Sequence, residues 1–158
     1  MIPKDYTDEL KKGYFNERGV IKKVFIKELS EKAAKSFLGP PQMTSTQLRN
    51  FYNHVKSSGT IYQLSRQDRD TAKDELLIKV QRLDSIVGYN KGRDGINIPV
   101  SFVEFIKANL EACKSADDVI AGFIPHFETV VGYFKLAEKE AALANRQSNR
   151  NQTGGFRR

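Results

Sequence analysis

The sequence has no tryptophan, one cysteine and two histidines among its 158 residues. A single cysteine, Cys113, excludes an intrachain disulfide, which is typical of proteins from a reducing compartment. No run approaches the ~18 consecutive apolar residues of a membrane span, and the first ten residues carry charges where a secretory signal needs an apolar run. These features predict a cytoplasmic protein without membrane segments.

Residues that commonly carry catalysis or bind metals are also few. By helical spacing His54 lies opposite an apolar face, and His126 stands between a proline and a phenylalanine, so we interpret the first as solvated and the second as structural. No set of four residues has the spacing of a zinc site. The glycines of residues 88–95 lack the Lys-Ser/Thr ending of a phosphate-binding loop. Acids within residues 68–84 alternate with basic residues, as in helical ion pairs. We therefore expect no catalytic residue, no metal and no cofactor.

What the sequence does have is helical periodicity. Apolar residues at three- and four-residue spacing predict five helices, at about residues 20–38, 44–59, 65–87, 99–113 and 115–145, with a kink or break in the last at Pro125. Strand-like alternation and internal repeats are absent from the sequence. The pattern predicts an all-α protein, a compact bundle of about five helices. Residues 1–19 are expected to form a loosely ordered, flexible arm, residues 20–144 the helical bundle domain, and residues 145–158 a disordered Arg-rich tail.

The second predicted helix has the most complete boundary signals. Thr44 is placed to cap its start, with Gln47 as the capping-box partner, and Met43 and Leu48 can form a hydrophobic staple. Gly59 suits a left-handed C-terminal position. About eight residues then connect this helix to the third, which we expect Ser65 to cap.

The net charge of +7 and the pI near 9.5 favour an anionic partner. Residues 141–158 contain four arginines and no acid, so 7 − 4 leaves +3 for the preceding residues. A binding face on the bundle therefore requires local clustering of its basic residues.

Basic and amide residues beside the apolar stripes form such a cluster if the second and third helices pack antiparallel. Arginine and lysine along a strip contact successive phosphates without reading base sequence. The alternative is that these side chains only keep the bundle soluble. Tyr89, beside two cations, is interpreted as a packing residue, with base stacking as the alternative. The candidate RNA-binding residues are Arg49, Asn53, Lys56, Lys79, Arg82, Tyr89, Lys91 and Arg93.

Four segments carry a resemblance to a known family: KELSEKAAKSFL at 27–38, MTSTQLRNFYNHV at 43–55, LLIKVQRLDSIVGYNKGR at 76–93 and FETVVGYFK at 127–135. Together they resemble, over about residues 20–138, the small subunit of the type III-A CRISPR interference (Csm) complex. Arg49, Tyr89 and Arg93 match motif positions of that family. Thr129 and Gly132 stand where the family commonly has alanine.

The resemblance implies a non-catalytic subunit that stacks in several copies along guide RNA and target RNA and contacts the backbone and large subunits. It makes Arg49 and Arg93 the first choices for RNA backbone contacts. Two alternatives stay open. One is a DNA-binding helix-turn-helix module, for which the eight-residue connection is long. The other is a protein-interaction scaffold that binds no nucleic acid.

Overall fold

The computed structural model describes residues 1–93 and 95–154 and confirms the all-α class. These residues form seven α-helices rather than about five: α1 Lys4–Lys11, α2 Glu28–Ser36, α3 Ser45–Leu64, α4 Arg69–Gln81, α5 Leu83–Lys91, α6 Val100–Ala112 and α7 Ile124–Thr153. A 3-10 turn at Lys23–Ile26 precedes α2, and a π-helical segment at Asp118–Phe123 leads into α7. Among the described residues, extended backbone pairs only in the bridge between Phe15 and Ile21. Every helix among the described residues is too short or too polar to span a membrane.

The longest helix, α7, is the element against which α2 and α3 pack most extensively. Its inner face joins a cluster of buried phenylalanines from α6 and the π-helical segment. The rings of Phe123 and Phe127 stack with centroids 5.4 Å apart, and Phe105 lies 5.3 Å from Phe127. This aromatic core fixes the positions of the helices whose outer faces carry the charges.

The structure confirms the predicted start of α3. The backbone N–H of Gln47 donates to Thr44 Oγ1 at 3.2 Å, and the backbone N–H of Thr44 donates to Gln47 Oε1 at 2.8 Å. Met43 and Leu48 are both buried, as a hydrophobic staple requires.

The predicted end of α3 at Gly59 is wrong, because the helix continues to Leu64. A Cβ at Gly59 would lie 2.7 Å from Ile124 Cδ1, so this glycine permits close helix packing rather than a left-handed turn. The connection to α4 is therefore residues 65–68. The N-cap of α4 is Asp68 and not the predicted Ser65. The Asp68 carboxylate accepts a hydrogen bond from the Thr71 backbone N–H at 2.9 Å. This short connection removes the linker-length argument against a helix-turn-helix.

Three other helix boundaries differ from the prediction. The first predicted helix begins as a 3-10 turn and becomes α-helical only at Glu28. The third divides at Arg82 into α4 and α5. The fifth starts as expected, with reciprocal bonds between Ser115 and Asp118, but it does not break at Pro125. Pro125 stands in the first turn of α7, directly after the π-helical segment, where a missing N–H removes no hydrogen bond of α7 itself.

The expectation of a loosely ordered arm at residues 1–19 is wrong. Helix α1 packs against α6 and α2, and the rings of Tyr6 and Tyr14 are fully buried. The Tyr14 hydroxyl donates to Asn109 Oδ1 at 2.8 Å. This buried hydrogen bond attaches the N-terminal residues to α6. Sequence periodicity misses this segment because two tyrosines and a short helix make no sustained apolar stripe.

A chain of hydrogen bonds connects the arm to α7 through His126. The Asn109 amide donates to the Tyr6 oxygen at 2.7 Å, and the Tyr6 hydroxyl donates to His126 Nε2 at 2.7 Å. His126 Nδ1–H must donate to the Phe25 carbonyl at 2.6 Å, because a carbonyl only accepts. Burial lowers the pKa of His126 to about 4, partly opposed by its bond to Phe25. The structural interpretation of His126 is therefore confirmed.

Most of the predicted disordered tail, residues 145–153, is helical in the structure. Helix α7 continues to Thr153, and the last four residues of the sequence, including Arg157 and Arg158, lie outside the described residues. Residues 141–144, Ala-Ala-Leu-Ala, have high helix propensity and extend a helix that the bundle has already nucleated.

Candidate nucleic-acid interface

The first part of the interface is one edge of α3, where Arg49, Asn53 and Lys56 are exposed. The ammonium of Lys56 lies 5.7 Å from the centroid of the Tyr52 ring, and that ring packs edge-on against Phe127 of α7 at 5.6 Å. The cationic edge of α3 therefore lies beside α7.

Helix α4 approaches α3 from the other edge. His54, expected to be solvated, is instead half-buried, and its Nε2 donates to the Lys79 carbonyl at 3.2 Å. His54 is about 160° around α3 from Lys56, because successive residues differ by about 100°. Lys79 and the exposed Arg82 thus lie across α3 from Lys56, and the flanks of α3 and α4 do not merge into one strip.

The third group of predicted residues lies at the end of α5. Tyr89, Lys91 and Arg93 are exposed, and the Arg93 guanidinium lies 5.7 Å from the centroid of the Tyr89 ring. The interpretation of Tyr89 as a packing residue is wrong, because 69% of it is exposed. Its ring and the guanidinium beside it present a flat surface of the kind on which a nucleobase stacks.

Sequence reasoning missed the cations of α7 beside α3. Lys135 Nζ lies 3.5 Å from Ser45 Oγ, and the backbone N–H of Ser45 donates to Glu138 at 3.2 Å. Lys135 and Lys139 are both exposed and lie one turn apart. Their four-residue spacing is visible in the sequence and recurs in Arg146 and Arg150, seven residues beyond Lys139. Only packing shows that α3 adjoins this face of α7. We call Arg49, Lys56, Lys135 and Lys139 the α3–α7 basic face.

Acidic residues modulate this face at two points. Lys135 lies 4.0 Å from Glu138 in an exposed pair. The buried Tyr52 hydroxyl has no hydrogen-bond partner among the described residues. Burial, and then the neighbouring Glu128 carboxylate, raise the pKa of Tyr52, while Arg49 acts in the opposite direction. Arg49 of α3 and Glu128 of α7 therefore both act on the pKa of the Tyr52 hydroxyl, in opposite directions.

Most cations of the interface have no carboxylate partner in the part of the chain described. The ion pairs found there within 4.0 Å involve Lys12, Lys22, Lys32, Lys35 and Lys135, so none of the six predicted cations takes part. An exposed guanidinium or ammonium without an acidic partner is available to a phosphate.

Outside this interface, a groove of about 740 Å³ lies between α1 and α6, bordered by Thr7, Leu10 and Ala108. Within residues 1–93 and 95–154, no group of three or more His, Cys, Asp or Glu side chains is arranged to hold a metal. Burial raises the pKa of the Cys113 thiol to about 12, which keeps it protonated and unreactive at neutral pH.

Comparison with known proteins gives one family. The family model described as Csm2 Type III-A matches residues 22–140, which include α2 to α6 and the part of α7 within the bundle. No curated protein and no solved structure matches the chain.

Proposed function

Because the chain belongs to the Csm2 type III-A family, and is therefore a subunit of a type III-A CRISPR effector complex, we propose that it is a non-catalytic small subunit that holds target RNA by its phosphates. The proposed RNA contact rests on one observation: Arg49 and Lys56 are exposed on the edge of α3, and neither forms an ion pair within 4.0 Å among the described residues. The partners in this proposal are guide RNA, target RNA and the backbone and large subunits.

The proposed contact is electrostatic and independent of base sequence. Arginine binds a phosphate through two parallel N–H donors, and lysine adds a point charge. Asn53, between Arg49 and Lys56 on the same edge, can donate to a phosphate or sugar oxygen. The cations of α4, across α3 from Lys56, provide a second contact. The end of α5 provides a third, where Tyr89 offers a stacking surface.

Exposed apolar residues support stacking of several copies along the RNA. Leu64 at the end of α3 is 76% exposed, Ile61 one turn earlier is about half exposed, and Ile78 of α4 is also exposed. In the proposal these side chains contact either the next copy or a neighbouring subunit. A filament then multiplies individually weak RNA contacts through effective concentration.

The experiment that tests the proposal is native co-purification from the source cell, with the bound RNA sequenced and the partner proteins identified. We expect repeat-derived guide RNA together with larger subunits. Recovery of the protein without such RNA contradicts the proposal, and a stable protein partner alone supports a scaffold.

Two variants then test the RNA contacts, one on the edge of α3 and one just after α5. Arg49→Glu, and separately Arg93→Glu, should lower the amount of RNA retained, while far-UV circular dichroism stays unchanged. The matched control is Arg18→Glu, which reverses an exposed charge in the turn before residue 20. Unchanged RNA retention in a folded Arg49→Glu protein contradicts the assignment of this edge.

A DNA competitor distinguishes the helix-turn-helix alternative, which the short connection after α3 makes worth testing. Excess duplex DNA should displace little of the complex-bound RNA. Preferential recovery of duplex DNA favours the DNA-binding module instead.

A further inference from the structure

The C-terminal part of α7 projects beyond the bundle. Residues 141–153 make about 20 Å of helix at about 1.5 Å per residue. They also lie beyond residue 140, where the match to the family ends. The role of this extension therefore does not follow from family membership.

The extension has no buried face. Every residue from 142 to 154 is exposed, and the one large apolar side chain among them, Leu143, is about half exposed. A helix in water that packs against nothing is only marginally stable. A partner that binds along it would stabilise the helical form.

The charge of the extension indicates what that partner is. Arg146 and Arg150 are one turn apart, and no acid follows Glu140 in the sequence. At about 100° per residue, Lys135, Lys139, Arg146 and Arg150 fall within about 60° of one another around α7. The extension therefore continues the α3–α7 basic face away from the bundle, over about 22 Å from Lys135 to Arg150.

We propose that residues 141–153 are a second RNA-binding element, which extends the α3–α7 basic face and holds RNA phosphates outside the bundle. Arg146 and Arg150 each contact a phosphate. The amide of Asn149, which lies about 60° from Arg146 around the helix, adds a hydrogen bond to a phosphate or sugar oxygen. The inference rests on the proposed function, because it assigns to the same RNA a contact that lies outside the family match.

The test removes the two charges and keeps the length of the chain. The full-length protein and its Arg146→Gln/Arg150→Gln variant are titrated with a fluorescent single-stranded RNA from about 50 to 200 mM salt. Each phosphate contact to a single strand contributes about 0.7 to the slope of log K against log salt. The double variant should therefore lower the magnitude of that slope by about 1.4.

The matched control is Lys4→Gln/Lys107→Gln, which removes the same net charge from exposed positions on α1 and α6. It should leave the slope as in the wild-type protein. Equal slopes for wild type and the Arg146/Arg150 variant overturn the inference, as does an equal loss in the control. Absence of wild-type binding at about 50 mM salt overturns it too.

A second readout follows the extension itself. RNA should slow amide hydrogen exchange in residues 145–153 of the wild-type protein and have no such effect in the double variant. If the variant keeps its RNA affinity but loses a co-purifying subunit, the extension binds protein and the inference is wrong. The Arg49→Glu and co-purification experiments decide the proposed function separately, because neither alters residues 141–153.

Discussion

The Tyr6 hydroxyl donates to Nε2 of His126 across 2.7 Å, although 120 residues separate the two in sequence. This bond ties α1 to α7 within the aromatic core, where His126 lies 5.2 Å from the Phe25 ring. The Asn109 amide completes the connection from α6. The first residues of the chain are therefore part of the bundle that carries the basic face.

Burial of neutral His126 predicts a loss of stability in mild acid. The pKa is about 4 in the folded protein against 6.5 for the unfolded chain, so between these values the unfolded state binds the additional proton. The free energy of unfolding should fall by about 3 kcal/mol as pH drops from 6.5 to 4, at about 1.4 kcal/mol per pKa unit. Urea unfolding followed by circular dichroism at several pH values measures this. His126→Gln should be less stable at neutral pH, with a shallower pH dependence, and an unchanged pH slope in that variant contradicts the assignment.

Removal of the Tyr6 hydroxyl should destabilise the fold. Tyr6→Phe leaves the His126 acceptor and an Asn109 donor without their buried partner, which costs about 1–3 kcal/mol. Tyr89→Phe removes the same group from an exposed residue and should change stability by less than about 0.5 kcal/mol. Comparison of the two urea midpoints checks the prediction, and equal midpoints would show that the buried bond contributes nothing.

Two helical glycines should respond to alanine in opposite directions. A Cβ at Gly122 would lie 2.6 Å from Cδ2 of Tyr14, whose buried ring is held by its bond to Asn109, so Gly122→Ala should cost about 1–3 kcal/mol. Gly132 has nothing within 4 Å of its Cβ position. Gly132→Ala should stabilise α7 by about 0.5–1 kcal/mol, because alanine has the higher helix propensity. Thermal unfolding of both variants tests this, and a stabilised Gly122→Ala protein would contradict the packing of the arm.

The N-cap of α3 should contribute to the stability of the protein. Thr44→Ala removes the acceptor for the Gln47 N–H and should cost about 1 kcal/mol. Thr46→Ala, two residues later on the exposed face, should be neutral or slightly stabilising. Urea unfolding of the two alanine variants measures the difference, and equal stabilities would show that the capping box is not maintained in solution.

Several features of this protein follow from the sequence because they depend on neighbours within one helical turn. The capping box joins residues three apart, and the reciprocal bonds of Ser115 and Asp118 have the same spacing. The apolar stripe of α3 follows from its period, and so does the all-α class. The motif segments that resemble the Csm small subunit are likewise local, and the family match confirms them.

Other features depend on residues far apart in sequence. Gly59 looks like a helix end until Ile124 is known to pack against it, and the N-terminal tyrosines look unattached until Asn109 and His126 are found beside them. From the sequence, the cations of α3 join those of the next helix if the two pack antiparallel, whereas packing places the α3 cations beside α7. Periodicity determines which face of a helix is buried. Only the packing of the whole chain decides which exposed edges adjoin, because each edge is positioned by core contacts with several distant helices.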